Sequence, residues 1–388
     1  MNKIIAFVRK EIVFVISFAL AVLSCFFVKP SAEYLKYINV NVLFLLFSFM
    51  AVVAGLRFCG VFDTCARALC RLTSTVRSLG IALVFMCFAF SMFITNDVAL
   101  LTFVPFTILL LVKCSQKKHI VYTVVLETVA ANLGSMVTPM GNPQNLFLFS
   151  LMNAGVAEFC LILLPYSIVS AVCLLGACFV LPSKPLFENN KERSDFFEAK
   201  DFVNAKSSTK GIPVTKFRTV VYIALFVLCI LCVFDFISSL VLACIIAVVI
   251  LIVQREILLK VDYILLLTFV CFFIFSGNIQ NIPFIKAMLE KAVAGHEFLC
   301  GILASQVISN VPATLLLSPF ALDLKELLIA VDLGGLGTLV ASLASLISYK
   351  LYANTEGAQG GKFIKIFTLV NVIFIIVLVA FKILSGVN

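Results

Sequence analysis

Residues Ser91 to Phe106, SMFITNDVALLTFVPF, recur without a gap as Ser305 to Phe320, SQVISNVPATLLLSPF, with 7 of 16 positions identical. The identities are Ser91/Ser305, Ile94/Ile308, Asn96/Asn310, Ala99/Ala313, Leu101/Leu315, Pro105/Pro319 and Phe106/Phe320, and Thr95/Ser309 keeps a hydroxyl. Each copy sets polar side chains in the middle of a long apolar run. An unsatisfied polar group at the centre of a bilayer costs several kcal/mol. A chain that carries such a cluster twice must surround both with protein or water. The duplication points to a binding site made of two related halves.

The composition fits only a membrane setting. Of 388 residues, 62% are hydrophobic and 13% charged, with 39 Phe, and the mean hydropathy is +1.16. A soluble domain of this make-up would have a hydrocarbon surface. The apolar runs are continuous rather than alternating, which excludes an outer-membrane barrel. The expected fold is therefore an all-α polytopic membrane protein. The run Glu11 to Val28 has a basic start but no small-residue cleavage site, and is read as a retained first helix. The 14 Cys lie mostly inside apolar spans. Cys229 and Cys232 form a CxxC within one such span, where small apolar packing is the simpler reading. His119 and His296 stand apart, so zinc chemistry has no support and no cofactor is expected.

Apolar spans fall at 11–28, 38–56, 80–112, 120–152, 157–181, 218–234, 237–254, 262–277, 297–321, 326–351 and 364–385. Span 80–112 exceeds the ~20 residues of one crossing and is interrupted at Thr95-Asn96-Asp97. Span 297–321 is interrupted at Ser309-Asn310-Val311-Pro312. Both read as re-entrant hairpins with polar tips near the midplane. Short amphipathic stretches, 61–75 and 281–293, precede them and suit the membrane interface. With hairpins contributing no crossing, five crossings separate the start of span 38–56 from that of span 262–277. An odd number turns the second half upside down, the inverted-topology repeat of many transporters. The halves are residues 1–181 and 218–388, joined by a mixed-charge cytosolic linker at 182–217.

The positive charge supports this count. With the N-terminus inside and the C-terminus outside, 23 of the 29 Lys and Arg fall on inner segments, as the positive-inside rule requires. The net charge of +9 then reflects topology, and no nucleic-acid partner is implied. The lipid bilayer is the expected surroundings, in an inner (cytoplasmic) membrane.

Each hairpin is followed by a helix with its own break. The first reads Asn132-Leu-Gly-Ser-Met-Val-Thr-Pro-Met-Gly-Asn-Pro-Gln-Asn145; the second, Asp332 to Ser345, reads DLGGLGTLVASLAS. Leu133/Leu333, Gly134/Gly334 and Thr138/Thr338 coincide. Pro139 and Pro143 remove helical donors and Gly141 lets the backbone turn, whereas the second break rests on Gly334, Gly335 and Gly337. Unwound segments free carbonyls for a cation, and the half-helix that follows turns its positive end toward an anion. Ser91, Thr95 and Asn96, spaced i, i+4, i+5, with the Gly141 carbonyl, offer neutral hard oxygens for Na⁺. Ser305, Ser309, Asn310 and Ala341 repeat that set. Asp97, Asn142, Asn145, Thr314, Ser342 and Ser345 are left to face a small anionic substrate between the two cations. Asp97, Glu127 and Asp332 are the acids inside apolar spans and the candidates for carrying a proton or coupling charge.

At these residues the sequence resembles the ion transporter superfamily, which includes divalent-anion/sodium symporters, citrate transporters, arsenite permeases and one class of Na⁺/H⁺ antiporters. The superfamily carries a Ser-Asn-Thr motif at each hairpin tip and a Gly-(Ser/Thr)-Pro-Pro-Asn-like break in each half. Here the tips read Thr95-Asn96-Asp97 and Ser309-Asn310-Val311. The first break reads Gly141-Asn142-Pro143-Gln144-Asn145, and the second, Ala341-Ser342-Leu343-Ala344-Ser345, is degenerate. Asp97 and Val311 stand where dicarboxylate symporters have threonines that contact substrate. An Asn-Asp tip and Asn310-Val-Pro312 look more like the arsenite-permease branch. The resemblance implies a secondary active transporter of a small anion or oxyanion, coupled to Na⁺ or H⁺, with elevator-type alternating access and commonly a homodimer. A Na⁺/H⁺ antiporter working through Asp97 and an arsenite or antimonite efflux permease are the alternatives. An enzyme would need a nucleophile with its base or a metal cluster, and the motifs supply neither.

Overall fold

The structure, a computed structural model, describes residues 11–186 and 216–386. Most of the linker at 182–217 thus lies outside the described residues. Within them the chain is helical, with one isolated β-bridge between Thr75 and Pro185. The first half contains α1 (Ile12–Cys25), α2 (Val40–Phe58), α3 (Val61–Cys70), α4 (Val76–Ile94), α5 (Asn96–Lys113), α6 (Ile120–Ser135), α7 (Pro143–Met152) and α8 (Val156–Cys178). The second contains α9 (Lys216–Val233), α10 (Ser239–Gln254), α11 (Tyr263–Gln280), α12 (Pro283–Val293), α13 (Glu297–Ile308), α14 (Asn310–Leu317), α15 (Leu324–Gly334), α16 (Leu343–Ala353) and α17 (Gly360–Ser385). Among the described residues, 8 helices are long and apolar enough to cross a membrane. The chain is an all-α, multi-span membrane protein.

Local chemistry sets the ends of these helices. Asn39 caps α2 by accepting from Val42 N at 3.2 Å, and Asp262 caps α11 by accepting from Leu265 N at 2.9 Å. Thr75 and Ser78 form a capping box at the start of α4. Pro143 occupies the first position of α7, where no N–H is needed, and Asn142 caps it through Asn145 N at 3.0 Å. Both long apolar runs that carry a tip motif are interrupted as expected: α4 gives way to α5 at Thr95, and α13 to α14 at Ser309. Both helices with a second motif are broken as well, α6 from α7 across 136–142 and α15 from α16 across 335–342.

Helix α8 serves as a ruler for the two tip-bearing pairs. Its 23 residues span about 34 Å at 1.5 Å per residue. Around its C-terminal end, Val76 N and Arg77 N at the start of α4 donate to Lys184 O and Pro182 O at 3.0 and 3.1 Å. Tyr122, in the first turn of α6, which begins seven residues after the last residue of α5, donates to Ala177 O at 2.8 Å. Both feet of the α4–α5 pair therefore stand at that end. At the other end, Glu158 pairs with Lys325 at 3.0 Å. Glu297, at the start of α13, accepts from Leu322 N, just beyond α14, at 2.8 Å. The feet of the α13–α14 pair thus meet each other, close to the N-terminal end of α8.

Packing repeats between halves. Helix α4 lies against α6 as α13 lies against α15, and α5 lies against α16 as α14 lies against α7. The second pairing is an exchange: each tip-bearing pair packs on the broken helix of the opposite half. The amphipathic helices α3 and α12 precede the two pairs. Phe284 and Met288 of α12 are exposed, as an interface-lying helix would leave them.

Candidate functional site

The two tips share one backbone conformation. Thr95 has φ 69 and ψ 148, and Ser309 has φ 73 and ψ 153. Only glycine adopts this region freely, and another residue held there costs about 1–3 kcal/mol. The same strain recurs where the sequence repeats. Thr95→Gly and Ser309→Gly are each expected to raise the stability of the purified protein by about 1 kcal/mol, after the entropy cost of glycine, while slowing transport. A thermal-shift measurement beside an uptake assay checks this, and a lower melting midpoint would count against stored strain.

Beyond the strained residue, both asparagines make the same local turn. Asn96 Oδ1 accepts from Asp97 N at 2.9 Å and Asn310 Oδ1 from Val311 N at 3.0 Å. Behind them, Ser91 Oγ donates to Phe88 O at 2.9 Å and Ser305 Oγ to Gly301 O at 2.7 Å. Thr138 Oγ1 donates to Met92 O, and Thr338 Oγ1 to Gln306 O at 3.1 Å. Ser91, Asn96, Gly141, Ser305, Ser309, Asn310 and Ala341 are all buried. The Ala341 carbonyl accepts Asn310 N at 2.9 Å and Ser309 Oγ at 3.3 Å. Gly141 instead lies against Ser135 in its own half.

The two broken helices are joined crosswise. Asn142 Nδ2 donates to Asp332 Oδ1 at 3.2 Å, and Ser342 Oγ to Asn132 Oδ1 at 3.0 Å. These four residues are two repeat-related pairs, each drawn from both halves. Asn132 also accepts from Asn96 Nδ2 at 3.1 Å and donates to Ser345 Oγ at 3.3 Å. Gln144 Nε2 donates to Asp332 Oδ1 at 3.3 Å. Thr128 and Ser348 extend the link at 2.5 Å. The structure thus brings Asn96, Asn142, Asp332, Ser342 and Ser345 into one buried polar network. Thr314 turns back to Asn310 O at 2.7 Å within α14, and Glu127 lies apart, hydrogen-bonded to Thr107.

A cavity of about 800 Å³ opens beside the first tip. Thr95, Asp97, Asn142 and Pro143 line its floor, and Arg57, Lys260 and Asp262 are among its charged walls. A second cavity, of about 630 Å³, is lined by Lys36, Asn39, Gln280, Ser318 and Phe147. The two use repeat-related positions: Leu101 and Pro105 with Ile347 in the first, Leu315 and Pro319 with Phe147 in the second. Thr314, Ser342, Ser345 and Asn145 line neither.

Sequence reasoning missed five contributors. Asn132 is the hub of the network, and its alignment with Asp332 was the available signal. Gln144 escaped because its counterpart is Ala344. Arg57 and Lys260 carry no motif. Gln306 is the fifth. Its Nε2 donates to Gly334 O and Leu336 O, each at 2.9 Å, and its Oε1 accepts from Thr338 N at 2.9 Å. One side chain thereby holds the second break open where prolines hold the first.

Interrupted helices sharing a polar centre, with cavities on related positions, define a membrane transporter, and the chain belongs to the citrate transporter (CitMHS) family, whose model matches residues 3–343. Among its relatives, an uncharacterized transporter, MJ0456, of Methanocaldococcus jannaschii is 34% identical over 303 residues, 78% of each chain. The inner membrane protein YbiR of Escherichia coli K12 is 30% identical over 306 residues, covering 78% of this chain and 77% of that one.

Proposed function

We propose that this protein is a secondary active transporter that moves a small anion or oxyanion, a carboxylate being the first to try, in symport with Na⁺ or H⁺. The observation that carries the reading is the pair of cavities lined by repeat-related positions, together with the crosswise bonds between the two broken helices. Alternating access needs two vestibules and a centre that closes one while opening the other. The feet of the two tip-bearing pairs lie at opposite ends of α8, which supports reading them as re-entrant hairpins in inverted halves. On that reading they move with the broken helices against the remaining spans. Arg57 and Lys260 at the first cavity, with the excess of Lys and Arg expected on inner segments, support reading that cavity as the cytosolic one.

The charges suit an anion that travels with a cation. Arg57 and Lys260 draw an anion to the first cavity, while Asp97 at its floor repels it unless a positive charge accompanies it. The neutral oxygens of Ser91, Thr95, Asn96 and Gly141, and of Ser305, Ser309, Asn310 and Ala341, are the places assigned to that cation. Asp97 also supports the second reading, a Na⁺/H⁺ antiporter in which its carboxylate exchanges the two ions.

Reconstituted proteoliposomes separate these readings. Citrate, succinate, sulfate and arsenite are offered under an imposed Na⁺ or pH gradient. Gradient-driven accumulation of a carboxylate or sulfate is the expected result. If Na⁺ dissipates a pH gradient with no anion present, the antiporter replaces the symporter. Movement of arsenite alone would make it a metalloid permease.

A further inference from the structure

Asn132 and Asp332 occupy the same position in the two repeats, one as an amide and the other as an acid. Both polar atoms of the amide have partners: its oxygen accepts from Ser342 Oγ at 3.0 Å and Asn96 Nδ2 at 3.1 Å, and its Nδ2 donates to Ser345 Oγ at 3.3 Å. The acid is not. Asp332 Oδ1 accepts from Asn142 and Gln144 at 3.2 and 3.3 Å, but Oδ2 has no partner, in a side chain 3% exposed. The residue standing where Ser345 stands is Asn145. Asn145 Nδ2 is held by Met136 O and Thr138 O at 3.0 and 3.3 Å. Its own Oδ1 is buried and has no partner.

Two buried acceptor oxygens, at the positions related by the repeat to the Asn132–Ser345 bond, thus lack only a donor. In the related half, the donor at this place is the second N–H-bearing arm of Asn132. A protonated Asp332 has the same shape and the same pattern: one oxygen accepting, the other arm donating. The position in the last turn of α15 adds to this, because the negative end of a helix disfavours a carboxylate. No charged group on the neighbouring helices is turned to Asp332. Glu127 on α6 bonds to Thr107, Glu158 on α8 to Lys325, and Lys382 on α17 to Glu326. Glu297 on α13 accepts from Gly295 N and Leu322 N, Lys362 and Lys365 on α17 are exposed, and α7 and α14 carry no charge.

We infer that Asp332 is a proton-binding site, with the proton on Oδ2 donated to Asn145 Oδ1, closing the contact between the two broken helices as Asn132 and Ser345 close it on the other side. Resting on the transporter reading, its further consequence is that the proton leaves when α15 and α7 separate, which makes it a coupling ion.

Infrared spectroscopy of the full-length purified protein tests the site without any substrate. At neutral pH the wild type is expected to show a protonated-carboxyl C=O stretch that Asp332→Asn removes, leaving any Asp97 and Glu127 signals in place. Asn145→Ala is expected to shift that same band to higher wavenumber, as the acid loses its acceptor. Identical protonated-carboxyl absorbance in wild type and Asp332→Asn would overturn the assignment, since Asp332 would then be ionised or cation-bound. A band that Asn145→Ala leaves unmoved would overturn the proposed acceptor. Neither result depends on whether the liposomes accumulate an anion.

Discussion

Alanine at Gly134 is expected to destabilise the protein by about 3 kcal/mol, the upper range for forcing atoms into a packed core. A Cβ there would overlap the Phe88 carbonyl oxygen and lie 2.8 Å from its carbon and 2.5 Å from Ser91 Oγ. Both obstacles belong to α4, whose backbone cannot yield without lifting away from α6. Gly334 makes the same approach in the other half, where a Cβ would lie 2.8 Å from Ser305 Cβ and Oγ and 3.1 Å from Ile302 Cα. Those contacts are less severe, so Gly334→Ala should cost about 1 kcal/mol. Thermal midpoints of the two purified variants check the order. Equal and negligible shifts would mean the helices are not as closely held as the coordinates place them.

Loss of function without loss of fold is the expected outcome at the tips. Asn96→Ala and Asn310→Ala should each lower the initial rate of gradient-driven uptake on the order of 100-fold, since removing a buried polar partner costs about 1–3 kcal/mol and each 1.36 kcal/mol is tenfold in rate. Asn96 carries two duties: its oxygen turns the start of α5 and its Nδ2 reaches Asn132. Asn310 repeats the first duty at the start of α14. The variants should stay folded, because the network keeps the Asn132–Ser342 bond when Asn96 is gone. Uptake that survives both substitutions would remove the tips from the site.

The parts of this architecture visible in the sequence are those fixed by local chemistry. A polar trio inside an apolar run announces an interruption because the bilayer cannot satisfy it. Pro139, Gly141 and Pro143 announce the first break for a comparable reason. The second break was harder to see, since Gln306, 28 residues before Gly334, supplies its support from a neighbouring helix. The crosswise bonds between Asn142 and Asp332 and between Ser342 and Asn132 were not legible at all. They depend on each half lending its broken helix to the other, an arrangement set by packing of α5 on α16 and of α14 on α7. Glu127 illustrates the converse: an acid inside a span reads as functional from its residue type alone, and the partner the fold gives it, Thr107, was not legible.

The two cavities share a plan but not a lining. One has Asp97, Arg57, Lys260 and Asp262 about it; the other has Lys36, Asn39 and Gln280. On the alternating-access reading proposed above, a solute approaching from opposite sides meets unlike electric fields, and its capture rate and half-saturation should differ between influx and efflux. Detailed balance forbids that lopsidedness from altering the final ratio of concentrations, which the gradients alone determine. It can only make one direction respond at lower solute levels than the other, so the carrier behaves as a valve with a preferred working side.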